Sequence, residues 1–171
     1  MASAADRHRG RREGRRLALS ATFEADFGQR TASAILERLL AATTDRSADE
    51  LARTIVEAVV RERASIDALI GAAAPRYPVV AMAPMDRSLL RCAIGEVLHS
   101  PTPARVAIAE WVELSRIYSG DPMRRLLNGV LGRIAADRTG VQTPGPSSEE
   151  GVSGHDVRAP QEDRRRAARR R

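Results

Sequence analysis

ARVAIAEWVELSRIYSGDPMRRLLNGVLGRIAAD, running from Ala104 to Asp137, is the stretch that decides the fold of this chain. Apolar residues recur at helical spacing on both sides of Ser119-Gly120-Asp121-Pro122, so it reads as two amphipathic helices joined by one short turn. Gly120 can close the first helix, Asp121 can cap the second, and Pro122 suits a first helical position. The second helix carries Asn128-Gly129-Val130-Leu131 deep inside its pattern. A glycine there costs about 1 kcal/mol against alanine, and the expected compensation is close approach of another helix.

Upstream, Pro101 and Pro103 end a helix that opens near Pro84 and carries Leu89, Leu90, Ala93, Ile94, Val97 and Leu98. Pro75-Arg76-Tyr77-Pro78 and a short apolar linker over 79–84 separate it from what precedes. Ser47, with Glu50 at capping-box spacing, predicts the start of one long helix whose apolar face includes Leu51, Ile55, Ile66, Leu69 and Ile70. Thr31 to Ala42 and Arg15 to about Asp26, closed by Gly28, read as two further helices. No stretch alternates as a half-buried strand does. The chain is expected to be all-α with six to seven helices: a disordered basic arm over 1–13, a helical domain over 14–140 and a disordered Arg-rich tail over 141–171.

Composition agrees with helices. Aromatic residues make up only 3% of the 171 residues, and Ala, Leu, Ile and Val supply most of the apolar 43%. One cysteine, Cys92, excludes an intramolecular disulfide and suits a reducing compartment. No apolar run approaches the roughly 20 residues of a membrane span, and the Arg-rich N-terminus lacks the apolar core of a secretory signal. A soluble, cytoplasmic protein is expected.

The net charge of +6 sits at the two ends. Residues 1–20 hold six Arg against two acids, residues 141–171 seven Arg against five acids, and the block between is neutral. All 28 basic residues are Arg. Genomic base composition accounts for such a bias, and the planar five-donor fork of Arg also suits phosphate and base faces.

Three segments carry a resemblance. Arg15-Arg16-Leu17-Ala18-Leu19-Ser20-Ala21-Thr22-Phe23 resembles the Arg-rich opening of the NusB transcription antitermination family. Met85-Asp86-Arg87-Ser88-Leu89-Leu90-Arg91-Cys92-Ala93-Ile94-Gly95-Glu96-Val97 is similar to that family's Asp-Arg-x-Leu-Leu-Arg helix. Val106 to Glu110, followed by Asn128 to Leu131, is similar to its Val-Ala-Ile-Asn-Glu and Asn-Gly-Val-Leu signature. The three segments fall in order and register over residues 11–137. The resemblance implies two three-helix subdomains packed side by side, binding to boxA-type single-stranded RNA of ribosomal transcripts, and partnership with NusE, a small-subunit ribosomal protein. The pair would act on the RNA polymerase elongation complex. Some family members form dimers, so a homodimer stays open. Here Phe23 stands in place of a common Tyr, Leu126 in place of Phe and Ala109 in place of Asn, while Trp111 fills a position that is usually small.

The candidate RNA-binding residues are Arg11, Arg12, Arg15, Arg16 and Phe23. Arg11 with Arg15, and Arg12 with Arg16, lie four apart and line two sides of a helix. They suit phosphates through counterion release, with Phe23 as a stacking face; a solvated basic arm is the plainer reading. Asp86 and Asp121 are candidate partner contacts by the resemblance, and each also suits a helix N-terminus. Glu110 and Glu113 form a carboxylate pair with no nucleophile or oriented base beside it, so salt bridging is expected rather than catalysis. Trp111, Leu114 and Tyr118 share a stripe with core spacing. Dispersed histidines and a lone Cys92 predict no metal site, and no phosphate loop or other cofactor motif is present. An rRNA methyltransferase would need a further domain after residue 140. The remaining alternative is a helical protein-interaction or homodimer module without specific RNA binding.

Overall fold

The computed structural model describes residues 3–139. The Arg-rich tail, and with it the expected disorder over 141–171, lies outside the described residues. Helices α1 (Ala4–Ala25), α2 (Ala32–Leu40) and α3 (Arg46–Arg61) pack together; α4 (Arg63–Ala73), α5 (Pro84–His99), α6 (Ala104–Tyr118) and α7 (Asp121–Thr139) form the other half, with one 3-10 turn at Val79–Ala81. Among the described residues there is no strand. Helix α5 joins the halves by packing on α1, α3, α4, α6 and α7. Its buried run from Ser88 to Val97 explains why it tolerates so few large polar side chains. Leu19, Ile35, Ile55, Leu89, Leu90, Ile94, Trp111 and Leu127 are all essentially inaccessible in one continuous core.

Several local expectations change. The basic arm expected to be disordered is helical from Ala4, because Ser3 and Asp6 form a capping box: Ser3 Oγ accepts from the Asp6 amide at 3.0 Å and the Asp6 carboxylate accepts from the Ser3 amide at 3.2 Å. Buried Gly10 and Gly14 then seat this first half of α1 on the start of α3. A Cβ on Gly14 would stand 2.6 Å from the Ala48 carbonyl oxygen, and one on Gly10 would collide with Ser47 and Asp45.

The long third helix is two helices. Glu62, at φ −106° and ψ 18°, breaks it, so that α3 lies on α1 and α5 while α4 turns toward α5 and α7. No proline or glycine marks that break in the sequence. Asp45, not Ser47, caps α3, accepting from the amides of Ser47 at 2.9 Å and Ala48 at 3.2 Å.

The turn between α6 and α7 lies where expected, with Gly120 at φ +88°, but α7 begins at Asp121, so Asp121 is its first residue rather than its cap and Pro122 is its second. Gly129 is not what was expected, because a Cβ there would meet nothing within 4 Å and the residue is exposed. Val130, Leu131 and Ile134 point into the core while Gly129 faces outward. Tyr118 also leaves the core stripe: it is exposed, although Trp111 and Leu114 are buried.

Candidate nucleic-acid interface

Helix α1 carries two stripes of arginine with different surroundings. Arg11 and Arg15 face α5 and α6. Arg15 is buried, and its Nε and Nη2 donate to Glu96 Oε2 and Oε1 at 2.9 and 2.7 Å. Trp111 Nε1 donates to Glu96 Oε2 at 2.7 Å, and Thr102 Oγ1 donates to Oε1 at 2.9 Å. Both oxygens of the inaccessible Glu96 carboxylate therefore hold two donors each. Arg11 reaches the same centre by donating to Thr102 Oγ1, with its Nη2 4.0 Å from Glu96. A buried charge is tolerated only when paired and hydrogen-bonded, and this network meets both conditions while tying α1 to α5 and α6.

Burial takes Arg15 out of the set that can meet RNA, because its guanidinium is spent inside the fold. Neither its spacing nor its neighbours distinguished it from Arg12 or Arg16 in the sequence. The counter-charge that decides the matter, Glu96, lies 81 residues away.

A second, largely buried cluster holds the C-terminal end of α1. The Asp26 carboxylate, at its C-cap, pairs with Arg91 Nη1 at 3.2 Å and with Arg87, and Arg91 forms a two-pronged pair with Asp67 at 2.8 and 2.9 Å. In the Asp-Arg-x-Leu-Leu-Arg motif the two arginines thus serve the fold, clamping α1 and α4 onto α5. Cys92, one residue on, is buried against Thr22, and loss of solvation pushes its thiol up to about 12, with the Thr22 hydroxyl opposing. A thiol held protonated in this way is structural.

Arg12 and Arg16 lie on the other stripe. Both are roughly half exposed; Arg12 Nε is 3.4 Å from Glu110, and Arg16 is 3.7 Å from Glu13. With Arg9, Gly10 and the carboxylates of Glu13 and Asp45 they line a shallow cleft of about 310 Å³. Three- and four-residue steps continue this stripe through exposed Ser20 to Phe23 and Phe27. The two rings meet edge to face at 5.2 Å, Phe23 partly buried and Phe27 58% exposed. Phe27 was missed by sequence reasoning, although its spacing from Phe23 was there to read. The face offers cations for phosphates at one end and an aromatic surface about 10 Å beyond Arg16 along the helix.

Asp86 and Asp121 sit elsewhere. Asp86 accepts a hydrogen bond from Ser119 Oγ and lines a cleft of about 400 Å³ with Tyr77, Met82, Pro122, Met123 and Leu126. Asp121 opens α7 beside that cleft and holds Arg124 at 3.0 Å. The ten residues of α5 between Asp86 and Glu96 set this cleft about 15 Å from the Arg15 centre. Asp86 meets the α6–α7 turn at Ser119, two residues before Asp121, and the arginine stripe is not brought to that turn. Glu110 and Glu113 form salt bridges as expected, Glu110 with His8, Arg12 and Arg15, and Glu113 with Arg116.

The NusB family model matches residues 12–136, which takes in the Arg12 stripe, the α5 clamp and the α6–α7 pair. The chain belongs to the NusB family. It is 35% identical over 128 residues to transcription antitermination protein NusB of Dehalococcoides mccartyi, covering 73% of this chain and 89% of the relative. To the NusB of Kineococcus radiotolerans it is 37% identical over 127 residues, covering 73% and 92%. Among solved structures, T. maritima NusB superposes with a TM-score of 0.69 at 30% identity, over 74% of this chain and 91% of that one. A structure described as antitermination factors NusB and NusE in complex with dsRNA matches at a TM-score of 0.66 and 22% identity, over 75% and 98%, which is a likeness of fold. In this NusB-family chain no helix among the described residues is long and apolar enough to cross a membrane.

Proposed function

We propose that this chain is an RNA-binding antitermination factor that takes up boxA-type single-stranded RNA of ribosomal transcripts together with NusE and delivers the pair to the RNA polymerase elongation complex. The observation that carries the reading is the outer stripe of α1, where Arg9, Arg12 and Arg16 line one cleft and lead to Phe23 and Phe27. Family membership and the NusB–NusE–RNA assembly seen for a protein of the same fold support it. Arg12 and Arg16 meet phosphates and release counterions, while the phenylalanine rings offer a face on which an unpaired base stacks. Arg11 contributes at the edge of the face, already tethered to Thr102. Arg15 acts only by holding α1 in place.

NusE occupies the cleft at Asp86 and Asp121, whose rim also carries the exposed Tyr77. The α5 clamp keeps the two surfaces at a fixed separation, so NusE and one RNA can be held at once. Binding should then be cooperative, each ligand tightening the other by the same factor. Titrating NusE into wild type and Asp86→Lys, with and without boxA RNA, tests this. The charge reversal is expected to weaken NusE binding while the helix stays folded, since Asp86 stands in the first turn of α5, only partly buried, on the same stripe as Leu89, Leu90 and Ala93 but outside the fully buried run that begins at Ser88. Equal NusE affinity in all four titrations would remove both the cooperativity and the Asp86 contact.

A further inference from the structure

Two carboxylates face the arginines of α1 from the other half of the molecule, and they differ in kind. Glu96 is inaccessible and holds Arg15 through two short hydrogen bonds. Glu110, on α6, keeps 18% of its side chain exposed and is shared loosely among two guanidinium groups and an imidazole: Arg12 Nε at 3.4 Å, Arg15 Nη1 at 3.7 Å and His8 Nε2 at 3.7 Å. Arg15 is already satisfied by Glu96, so the partner that Glu110 can gain or lose is Arg12, whose side chain is 43% exposed. An anion arriving on the outer stripe would meet an arginine already leaning on a carboxylate.

We propose that Glu110 limits the RNA affinity of the α1 stripe by competing with phosphate for the Arg12 guanidinium. The inference rests on the RNA reading above and adds a residue that works against binding. The competition is mild, because a half-exposed ion pair without a hydrogen bond contributes little. A phosphate that takes Arg12 must leave Glu110 facing only His8 and the engaged Arg15. That cost falls on every anion alike. Glu110 therefore weakens non-specific binding as well as specific binding, and leaves discrimination to ligands that also reach the aromatic end of the stripe or NusE.

The test is a double-mutant cycle on the full chain with boxA-type single-stranded RNA as the probe, titrated over a range of salt. Glu110→Gln keeps the shape and removes the charge. It is expected to tighten binding by about two- to five-fold at low salt and to steepen the slope of log K against log salt by up to about 0.7. In an Arg12→Ala background the same substitution should change nothing. Glu113→Gln, one turn along α6, should have a smaller effect, since Glu113 pairs with Arg116 rather than with α1. An equal gain with and without Arg12 would show a general field effect and overturn the proposal, as would unchanged or weaker binding by a Glu110→Gln protein that melts normally. If Glu110→Gln lowers the melting temperature, Glu110→Asp, which draws the carboxylate back by one methylene, must still tighten binding. Weaker binding by both variants overturns the competition. Failure of wild type to bind the RNA at all would overturn the RNA reading and this inference together, whereas failure of the cycle alone leaves the RNA reading standing.

Discussion

Four arginines that look alike in sequence divide into two tasks once their counter-charges are known. Arg15 gives its guanidinium to Glu96, and the Glu96 carboxylate is completed by Thr102 and Trp111. Arg12 and Arg16 remain at the surface. Glu96→Gln would leave the buried Arg15 with only the looser Glu110, 3.7 Å away, as counter-charge, and breaking a buried pair costs about 3–5 kcal/mol. Denaturant unfolding of that variant should show a loss of this size; a loss under about 1 kcal/mol would mean that the network stabilises far less than its burial implies. Sequence spacing correctly paired Arg11 with Arg15 and Arg12 with Arg16 on separate sides of a helix. It could not say which side was inside, because that depends on acids from α5 and α6 that only the folded chain brings near. Trp111, which stood out as a bulky residue at a usually small position, finds its reason here: its indole N–H is one of the four donors on Glu96.

The elements were largely legible, and the exceptions share a cause. Helices α2, α5, α6 and α7 follow from apolar periodicity with Pro and Gly punctuation, signals that lie within each segment. The start of α1 and the break at Glu62 depend on contacts between segments instead. In α1 the deciding residues are Gly10 and Gly14, at and beside the end of the arm expected to be disordered, which give α3 a place to sit. Gly129 drew the opposite expectation, and the space beside it is open. Two substitutions separate these cases. Gly14→Ala pushes a methyl against the Ala48 backbone oxygen and should destabilise by about 1–3 kcal/mol, as overpacking does. Gly129→Ala should stabilise by up to about 1 kcal/mol through helix propensity alone. Thermal melts of the pair decide it, and a destabilised Gly129→Ala would show that the exposed position carries strain that its surroundings do not reveal.

At the scale of the molecule, α5 is the beam between the Arg12–Arg16 stripe of α1, proposed above to meet RNA, and the cleft at Asp86, proposed to meet NusE. Arg87 and Arg91 fix the C-terminal end of α1 through Asp26, and Glu96 fixes its middle through Arg15. The all-α fold and the NusB family were readable from three motifs in register, and the matched span of 12–136 agrees with that reading. The separation of the arginine stripe from Asp86 was not readable, because two motifs on different helices carry no information about the distance between them. The central claim is that the outer stripe of α1 binds RNA while the inner stripe holds the fold. The most direct test is the salt dependence of boxA-type RNA binding by wild type and by the Arg12→Ala, Arg16→Ala double variant, with the melting temperature measured alongside. Loss of two phosphate contacts should weaken binding and flatten the slope of log K against log salt by about 1.4, twice the single-strand value of about 0.7 per contact, with the melting temperature nearly unchanged. Affinity and slope equal to wild type would contradict the account.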